Sequence, residues 1–249
     1  MIKNEQLLQL MSLLDVTRLQ DEDSPEQVQR WLEQLGQSGY MPAAICLYTD
    51  YLPLVRQLAA PLPTAIAVAT VVNFPGGQQS AEQVGQQIEQ ALAAGANEID
   101  CVLPYQELMA GRIAGVKSFL QDVRHATGSA VLKVIVESGE LVTSQQVAKA
   151  TELVIDSGAD FVKSSTGKVA VGLTDEAAEI MLTVIAGAGR PVGFKASGGI
   201  RTLEQGLGLM QKYQQIIGQA ATPKRMRIGA SALFQELVRT LDSVKTISS

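Results

Sequence analysis

A single-domain (β/α)8 barrel (TIM barrel), an α/β fold with a short extra N-terminal helix, is what this chain of 249 residues predicts. Three observations carry the prediction. Short β-branched runs recur eight times, amphipathic helical patterns with proper ends lie between them, and each strand-plus-helix unit is roughly 30 residues long. Continuous apolar strands alternating with such helices mean a parallel sheet covered by helices. Eight units in one domain spanning 1–249 fit a closed barrel better than an open doubly wound sheet. Neither G-x-G-x-x-G nor G-x-x-x-x-G-K-[ST] follows the early strands, which weakens a nucleotide-binding alternative.

The strands read as Leu13–Thr17, Ala43–Tyr48, Ala65–Phe74, Glu98–Pro104, Val131–Ser138, Phe161–Thr166, Val192–Ala196 and Arg225–Ser231. Ahead of the first, "MIKNEQLLQLM" sets leucines and methionines at helical spacing, broken by Asn4, Glu5 and Gln9, unlike the unbroken apolar core of a secretory signal. Ser80 with Gln83 forms a capping box before Val84, Ile88, Ala91 and Leu92, and Gly95 closes that helix. Val147, Ala150, Thr151, Val154 and Ile155 repeat the pattern before Gly158. Thr174 opens a helix carrying Ile180, Met181, Val184 and Ile185, and Thr202 with Gln205 caps one carrying Leu203, Leu207 and Met210. His125 falls near a helix C-terminus, where an imidazolium suits the dipole.

Composition narrows the function. With 46% hydrophobic and 18% charged residues the chain can bury a full core. A net charge of −5 and a pI near 5.0 argue against a general nucleic-acid partner. No apolar run nears the roughly 18 residues of a membrane span, so a soluble cytoplasmic protein is expected. Cys46 and Cys101, 55 residues apart, suggest small core residues rather than a disulfide framework. His125 is the only histidine, which removes the usual zinc ligand sets, and no metal or cofactor is expected.

Chemistry enters with a misplaced cation. Lys163 follows Phe161 and Val162 in a strand that reads as buried. Five residues after the helix-ending glycines Gly95, Gly128 and Gly158 stand Asp100, Lys133 and Lys163, which predicts equivalent heights on three successive strands. "KSSTG" (Lys163, Ser165, Gly167) and "KASGG" (Lys195, Ser197, Gly199) share K-x-S-x-G, 32 residues apart, so lysine and serine should face one side and glycine the turn. A lone lysine late in a strand usually snorkels to water, but matched lysines with an aspartate in register mark a site.

A lysine amine attacks a carbonyl only when neutral, and its usual pKa of about 10.4 leaves under about one in a thousand neutral at pH 7. Desolvation and a nearby cation lower that value, and Lys195 supplies the cation. The product is a Schiff base, the logic of metal-free aldol chemistry, with Asp100 as proton shuttle. Phosphate commonly binds after strands seven and eight of such barrels. There the chain has Gly198, Gly199 and a capped helix, then Gly229 and Ser231, with Gly167 and Lys168 closing the anion site. A phosphorylated sugar or aldehyde is the expected partner; another Schiff-base sugar-phosphate aldolase or transaldolase, and a phosphate-binding barrel without chemistry, stay open.

The phrases "LLDVT", "AAICLY", "ATVVNFPGG", "GANEIDCVLPY", "LMAG", "LKVIVESGEL", "GADFVKSSTGK", "GFKASGGIRT" and "RIGASA" run in order along nearly the whole chain and resemble the deoxyribose-phosphate aldolases. The resemblance implies a class I aldolase that reversibly cleaves 2-deoxy-D-ribose 5-phosphate to acetaldehyde and D-glyceraldehyde 3-phosphate in deoxynucleoside breakdown. It implies Lys163 as Schiff-base lysine, Lys195 as the partner depressing its pKa, Asp100 as proton relay and Lys133 as a support tied to that aspartate. Gly167, Lys168, Gly198, Gly199, Gly229 and Ser231 fall where the family holds phosphate, and Asp15 and Thr17 match its first strand, near the substrate. Homodimers are common in the family, with exposed Met and Leu residues of outer helices or Trp31 as candidate interface. Two departures stand out: Ala232 replaces a second serine, and the end "SVKTISS" lacks the terminal tyrosine of some members.

Overall fold

The computed structural model describes residues 3–58, 62–63 and 66–248. Met1, Ile2, Ala65 and Ser249, which belong to segments read above, lie outside the described residues. Eight parallel strands close into one barrel: β1 Leu14–Arg18, β2 Ala44–Leu47, β3 Ala67–Val72, β4 Glu98–Val102, β5 Val131–Ile135, β6 Phe161–Lys163, β7 Gly193–Ser197 and β8 Met226–Ala230. The helices are α1 Asn4–Ser12, α2 Pro25–Gln37, α3 Leu52–Arg56, α4 Ala81–Ala94, α5 Tyr105–Met109, α6 Ile113–Thr127, α7 Ser144–Asp156, α8 Asp175–Ala186, α9 Leu203–Ile217 and α10 Ala232–Ser248.

Local chemistry sets the helix ends where the sequence predicts. Ser80, Thr174 and Thr202 each accept a backbone N–H in the first turn of α4, α8 and α9. Gly95 ends α4 at φ 109°, a conformation that costs a side-chain-bearing residue. α1 is the extra helix; it buries Leu7, Leu10 and Met11 and packs on α9 and α10. At that crossing a Cβ on Gly206 would stand 3.0 Å from the Leu10 side chain, so the glycine allows the close approach.

All the strands but β1 and β7 are shorter than predicted, β3, β5 and β6 among them. The ladder of β3 stops at Val72, that of β5 at Ile135 and that of β6 at Lys163. Beyond those points the backbone turns: Asn73 and Glu137 have φ of 54° and 52°, and Ser164 and Ser165 bond to β7 through side chains. Burial continues past the ladders, at Asn73, Val136, Glu137, Ser138, Ser164 and Ser165, because the barrel mouth also buries side chains.

Alternation along the strands divides two interiors. Outward positions such as Ile45, Ile99, Cys101, Leu132, Val134, Val162, Phe194 and Ile228 join the helices in the main apolar core. Inward positions stack in layers of four from alternate strands, as closure with shear requires. The pairings set Asp15, Ala69, Lys133 and Lys195 of the odd strands in one layer. Cys46, Asp100, Lys163 and Gly229 lie above it, and Ala44, Glu98, Phe161 and Arg227 below. Such layers usually hold branched apolar residues; here they hold charge.

The large apolar side chains that are exposed among the described residues are Leu8, Met41, Val142 and Val171. Only Leu8 lies on a helix, so the expected interface of Met and Leu on outer helices is reduced to it. Trp31 is half-buried against the core. No described helix is long and apolar enough to cross a membrane.

Candidate active site

Asp100 of β4 is the hub of the barrel interior. Its Oδ1 accepts from Lys133 Nζ at 2.7 Å, and its Oδ2 from both Lys163 Nζ at 2.8 Å and Lys195 Nζ at 2.7 Å. Lys195 also pairs with Asp15 Oδ2, while Lys133 reaches Glu98 at 2.6 Å. Arg227 bonds Asp15 Oδ1 at 2.7 Å and Glu98 Oε1 at 2.9 Å, and stacks 5.5 Å from the centre of the Phe161 ring. One network thus joins four basic side chains to three carboxyl groups, away from bulk water.

The predicted equal heights need one correction. Asp100 pairs directly with Lys133, but Lys163 pairs with Ile135, two residues past Lys133. Strand tilt makes every second strand share a height, so Lys163 is level with Asp100 and Lys133 sits a layer lower. The K-x-S-x-G echo is also only half regular. Lys163 and Lys195 are direct neighbours in register. Ser165, however, lies beyond β6 and donates to Glu137, while Ser197 stays within β7 and bonds the Ser165 backbone.

The network separates the amines electrically. Burial would depress Lys195, but Asp100 and Asp15 overcome it and raise its pKa; Asp100 and Glu98 do the same for Lys133. Burial of Asp100 would raise its carboxyl, yet Lys133, Lys163 and Lys195 hold it well below the usual range. Lys163 goes the other way. Desolvation outweighs its bond to Asp100, the Lys195 charge adds to the effect, and its pKa is lowered. Cys46, level with Lys163, has its thiol pushed up by burial and by Asp100.

Above the network opens a cleft of about 400 Å³. Lys163, 3% exposed, reaches it, whereas Lys133 and Lys195 are 0% exposed and lie beneath. Thr17, Gly167, Lys168, Gly198, Gly199, Gly229 and Ser231 line the same cleft, so all six residues expected for an anion come together there. Gly167, Gly198 and Gly199 have φ of 74°, 91° and 89°, and a Cβ on Gly198 would press on Ser165 at 2.9 Å. Ser231 directly precedes α10, whose N-terminal N–H groups face an anion favourably. Ala232, in place of the second serine, opens that helix and lines the cleft as well.

Two expected residues behave differently. Asp15 was expected near the substrate; it is fully buried a layer below the cleft, bonded to Lys195 and Arg227, because its strand position faces inward under Thr17. Lys168 lines the cleft, but its ammonium bonds Asp21 of the β1–α2 loop at 3.0 Å, and the Tyr48 hydroxyl donates to the same carboxylate. Sequence reasoning missed Glu98, Arg227, Glu137 and Arg201. Glu98 and Arg227 had a signal: each stands two residues before an assigned one, Asp100 and Gly229, and so shares its face. Arg201 follows the Gly198-Gly199 pair into the cleft. Glu137 accepts from Ser165 and Thr166 in a turn that strand alternation does not foresee.

The fold and site together define a (β/α)8 barrel whose floor is a lysine-rich ion network and whose mouth offers an anion-suited cleft. Residues 9–233 match the model of the DeoC/LacD family aldolases, and the chain belongs to that family. It is similar to a protein of Coccidioides immitis provisionally assigned as a deoxyribose-phosphate aldolase, with 28% identity, a TM-score of 0.82, and 94% of this chain and 86% of that one covered. It is similar as well to QR15, described as an aldolase, at 26% identity and a TM-score of 0.81, covering 96% and 98%. The tetrameric deoxyribose phosphate aldolase of Aeropyrum pernix shares the fold at 24% identity, with a TM-score of 0.72 over 98% of this chain and 97% of that one. The protein is therefore an aldolase.

Proposed function

We propose that this aldolase works through a Schiff base on Lys163 and reversibly cleaves 2-deoxy-D-ribose 5-phosphate to acetaldehyde and D-glyceraldehyde 3-phosphate, in cytoplasmic deoxynucleoside breakdown. The observation that carries the reading is that, of the three interior lysines, Lys163 alone has a lowered pKa and alone reaches the cleft. Its neutral amine adds to the aldehyde carbon; a proton donated from Lys195 and the loss of water leave a protonated imine. Removal of the proton from the C3 hydroxyl breaks the C2–C3 bond, the electron pair moves to the imine nitrogen, and glyceraldehyde 3-phosphate departs. Protonation of the resulting enamine at C2 and hydrolysis release acetaldehyde and restore Lys163.

Those proton transfers need a donor and an acceptor next to Lys163. Lys195, kept charged by Asp100 and Asp15, serves as donor, and Asp100, ionised and bonded to both lysines, relays the proton directly or through a water. Lys133 keeps Asp100 aimed upward. Gly167, Gly198, Gly199, Gly229, Ser231 and Lys168 are suited to the phosphate, with Thr17 beside the sugar. Lys168 then exchanges Asp21 for the phosphate.

Borohydride reduction in the presence of deoxyribose 5-phosphate, followed by peptide mass mapping, tests this. The adduct is expected on Lys163. An adduct on another residue overturns the assignment, and none at all favours a phosphate-binding barrel without chemistry.

A further inference from the structure

We propose that Glu98 and Arg227, in the layer farthest from the cleft, are positioning residues for Lys163, fixing from below how Asp100 and Lys195 share protons with it. The inference rests on the Schiff-base reading above. Neither residue lines the cleft. Each instead grips one of two arms that meet at Asp100. On one arm, Glu98 Oε2 holds Lys133 Nζ at 2.6 Å, and Lys133 holds Asp100 Oδ1. On the other, Arg227 holds Asp15, Asp15 holds Lys195, and Lys195 shares Asp100 Oδ2 with Lys163. A direct Arg227–Glu98 bond at 2.9 Å closes the ring.

Counting charge explains why the ring matters. Lys133, Lys163, Lys195 and Arg227 face three carboxyl groups, Asp15, Glu98 and Asp100, so with every group ionised the network carries one cation too many. Burial makes an uncompensated charge costly, and the proton most easily lost is that of the amine with the fewest anionic partners. Lys133 has three carboxylate partners within 3.6 Å and Lys195 has two; Lys163 has only Asp100. The surplus therefore falls on the lysine at the cleft.

Removing Glu98 strengthens the Lys133 claim on Asp100 and adds to the surplus; both effects ease proton loss from Lys163. Removing Arg227 cancels the surplus and lets Asp15 draw Lys195 away from Asp100, leaving that oxygen to Lys163; both effects hinder proton loss. The other groups around Lys163 are few. They are Cys46 of β2 and, at the mouth, Lys168, Arg201 and Glu137, the last bonded to Ser165 and Thr166; the inward residues of β3, Ala69 and Val71, carry no charge.

The test reads the pH midpoint of borohydride trapping at Lys163 with propanal, an unphosphorylated aldehyde that avoids the anion site. Glu98→Gln should lower the midpoint by about one pH unit, Arg227→Gln should raise it by about as much, and the double variant should return to within about half a unit of the parent. Glu98→Asp, which keeps the charge, should stay at the parent value. Unmoved midpoints in both folded single variants, or shifts of the same sign, overturn the proposal. If a single variant fails to fold, the charge-balanced double variant decides: a displacement beyond that half unit also overturns it. Absence of any Lys163 adduct in the parent protein would instead defeat the Schiff-base reading itself.

Discussion

Lys163 and Lys195 are neighbours in register and share one carboxylate oxygen, yet their surroundings push their pKa values apart. The division is one of partners: Asp15 stands by Lys195 and not by Lys163. Lys195→Met removes both the neighbouring cation and a competitor for Asp100. We expect turnover of deoxyribose 5-phosphate to fall by about a hundredfold or more, with the trapping midpoint at Lys163 moving upward. A pH–rate profile measured beside the trapping curve checks both, and an unmoved midpoint would count against the role of Lys195. The residue scale was partly legible beforehand. A charge at a fixed offset after a helix-ending glycine, and the K-x-S-x-G pattern shared by two strands, are why Lys163, Asp100 and Lys195 could be found in a bare sequence. The family resemblance puts Asp15 near the substrate, whereas the barrel holds it a layer below the cleft, because a match in a strand motif tells face, not depth.

Among the elements, β6 and β7 do most to shape the site, and they depend on residues that contribute almost no side chain. Gly193 opens β7, and a Cβ there would stand 2.3 Å from the Phe161 ring, which itself covers Arg227. Gly193→Ala should cost about 1–3 kcal/mol in urea unfolding, because the ring has only the packed lower layer to retreat into. Gly172 is equally constrained: its Cβ would meet the Gly198 carbonyl oxygen at 2.3 Å, so the loop after β6 and the phosphate-suited turn after β7 lie backbone to backbone. Helix starts were legible at this scale, since Ser80, Thr174 and Thr202 act through neighbours three residues away. Strand ends were not. The runs through Phe74, Ser138 and Thr166 stay β-branched or buried while their ladders stop, and only the closing barrel decides where pairing ceases.

For the whole molecule, an ion network at the centre of the barrel makes stability depend on pH. The lowered pKa of Lys163 means that folding disfavours its charged form. Below the folded value the cost is present in full; as pH rises toward the unfolded value of about 10.4 the folded state holds fewer protons than the unfolded one, and the cost disappears. Lys163→Met should therefore be more stable than the parent by about 1 kcal/mol at neutral pH, with the margin shrinking toward pH 10. Thermal melts across that range check it, and a less stable variant would show that the Asp100 bond outweighs the surplus charge. Asp15 and Asp100 work in the opposite sense: their lowered values contribute stability above about pH 4 that fades as the carboxyls protonate in acid.

By itself the sequence determined the alternation of eight strands with capped helices, the face each strand turns inward, and the choice of lysine, aspartate and glycine at the site, because these follow from periods of two and 3.6 and from caps read over three or four residues. Tertiary structure alone decided which inward residues meet. Closure with shear puts alternate strands at one height, stacks Glu98 and Arg227 beneath Asp15, Lys133 and Lys195, and leaves Lys163 at the top with a single carboxylate and an open cleft.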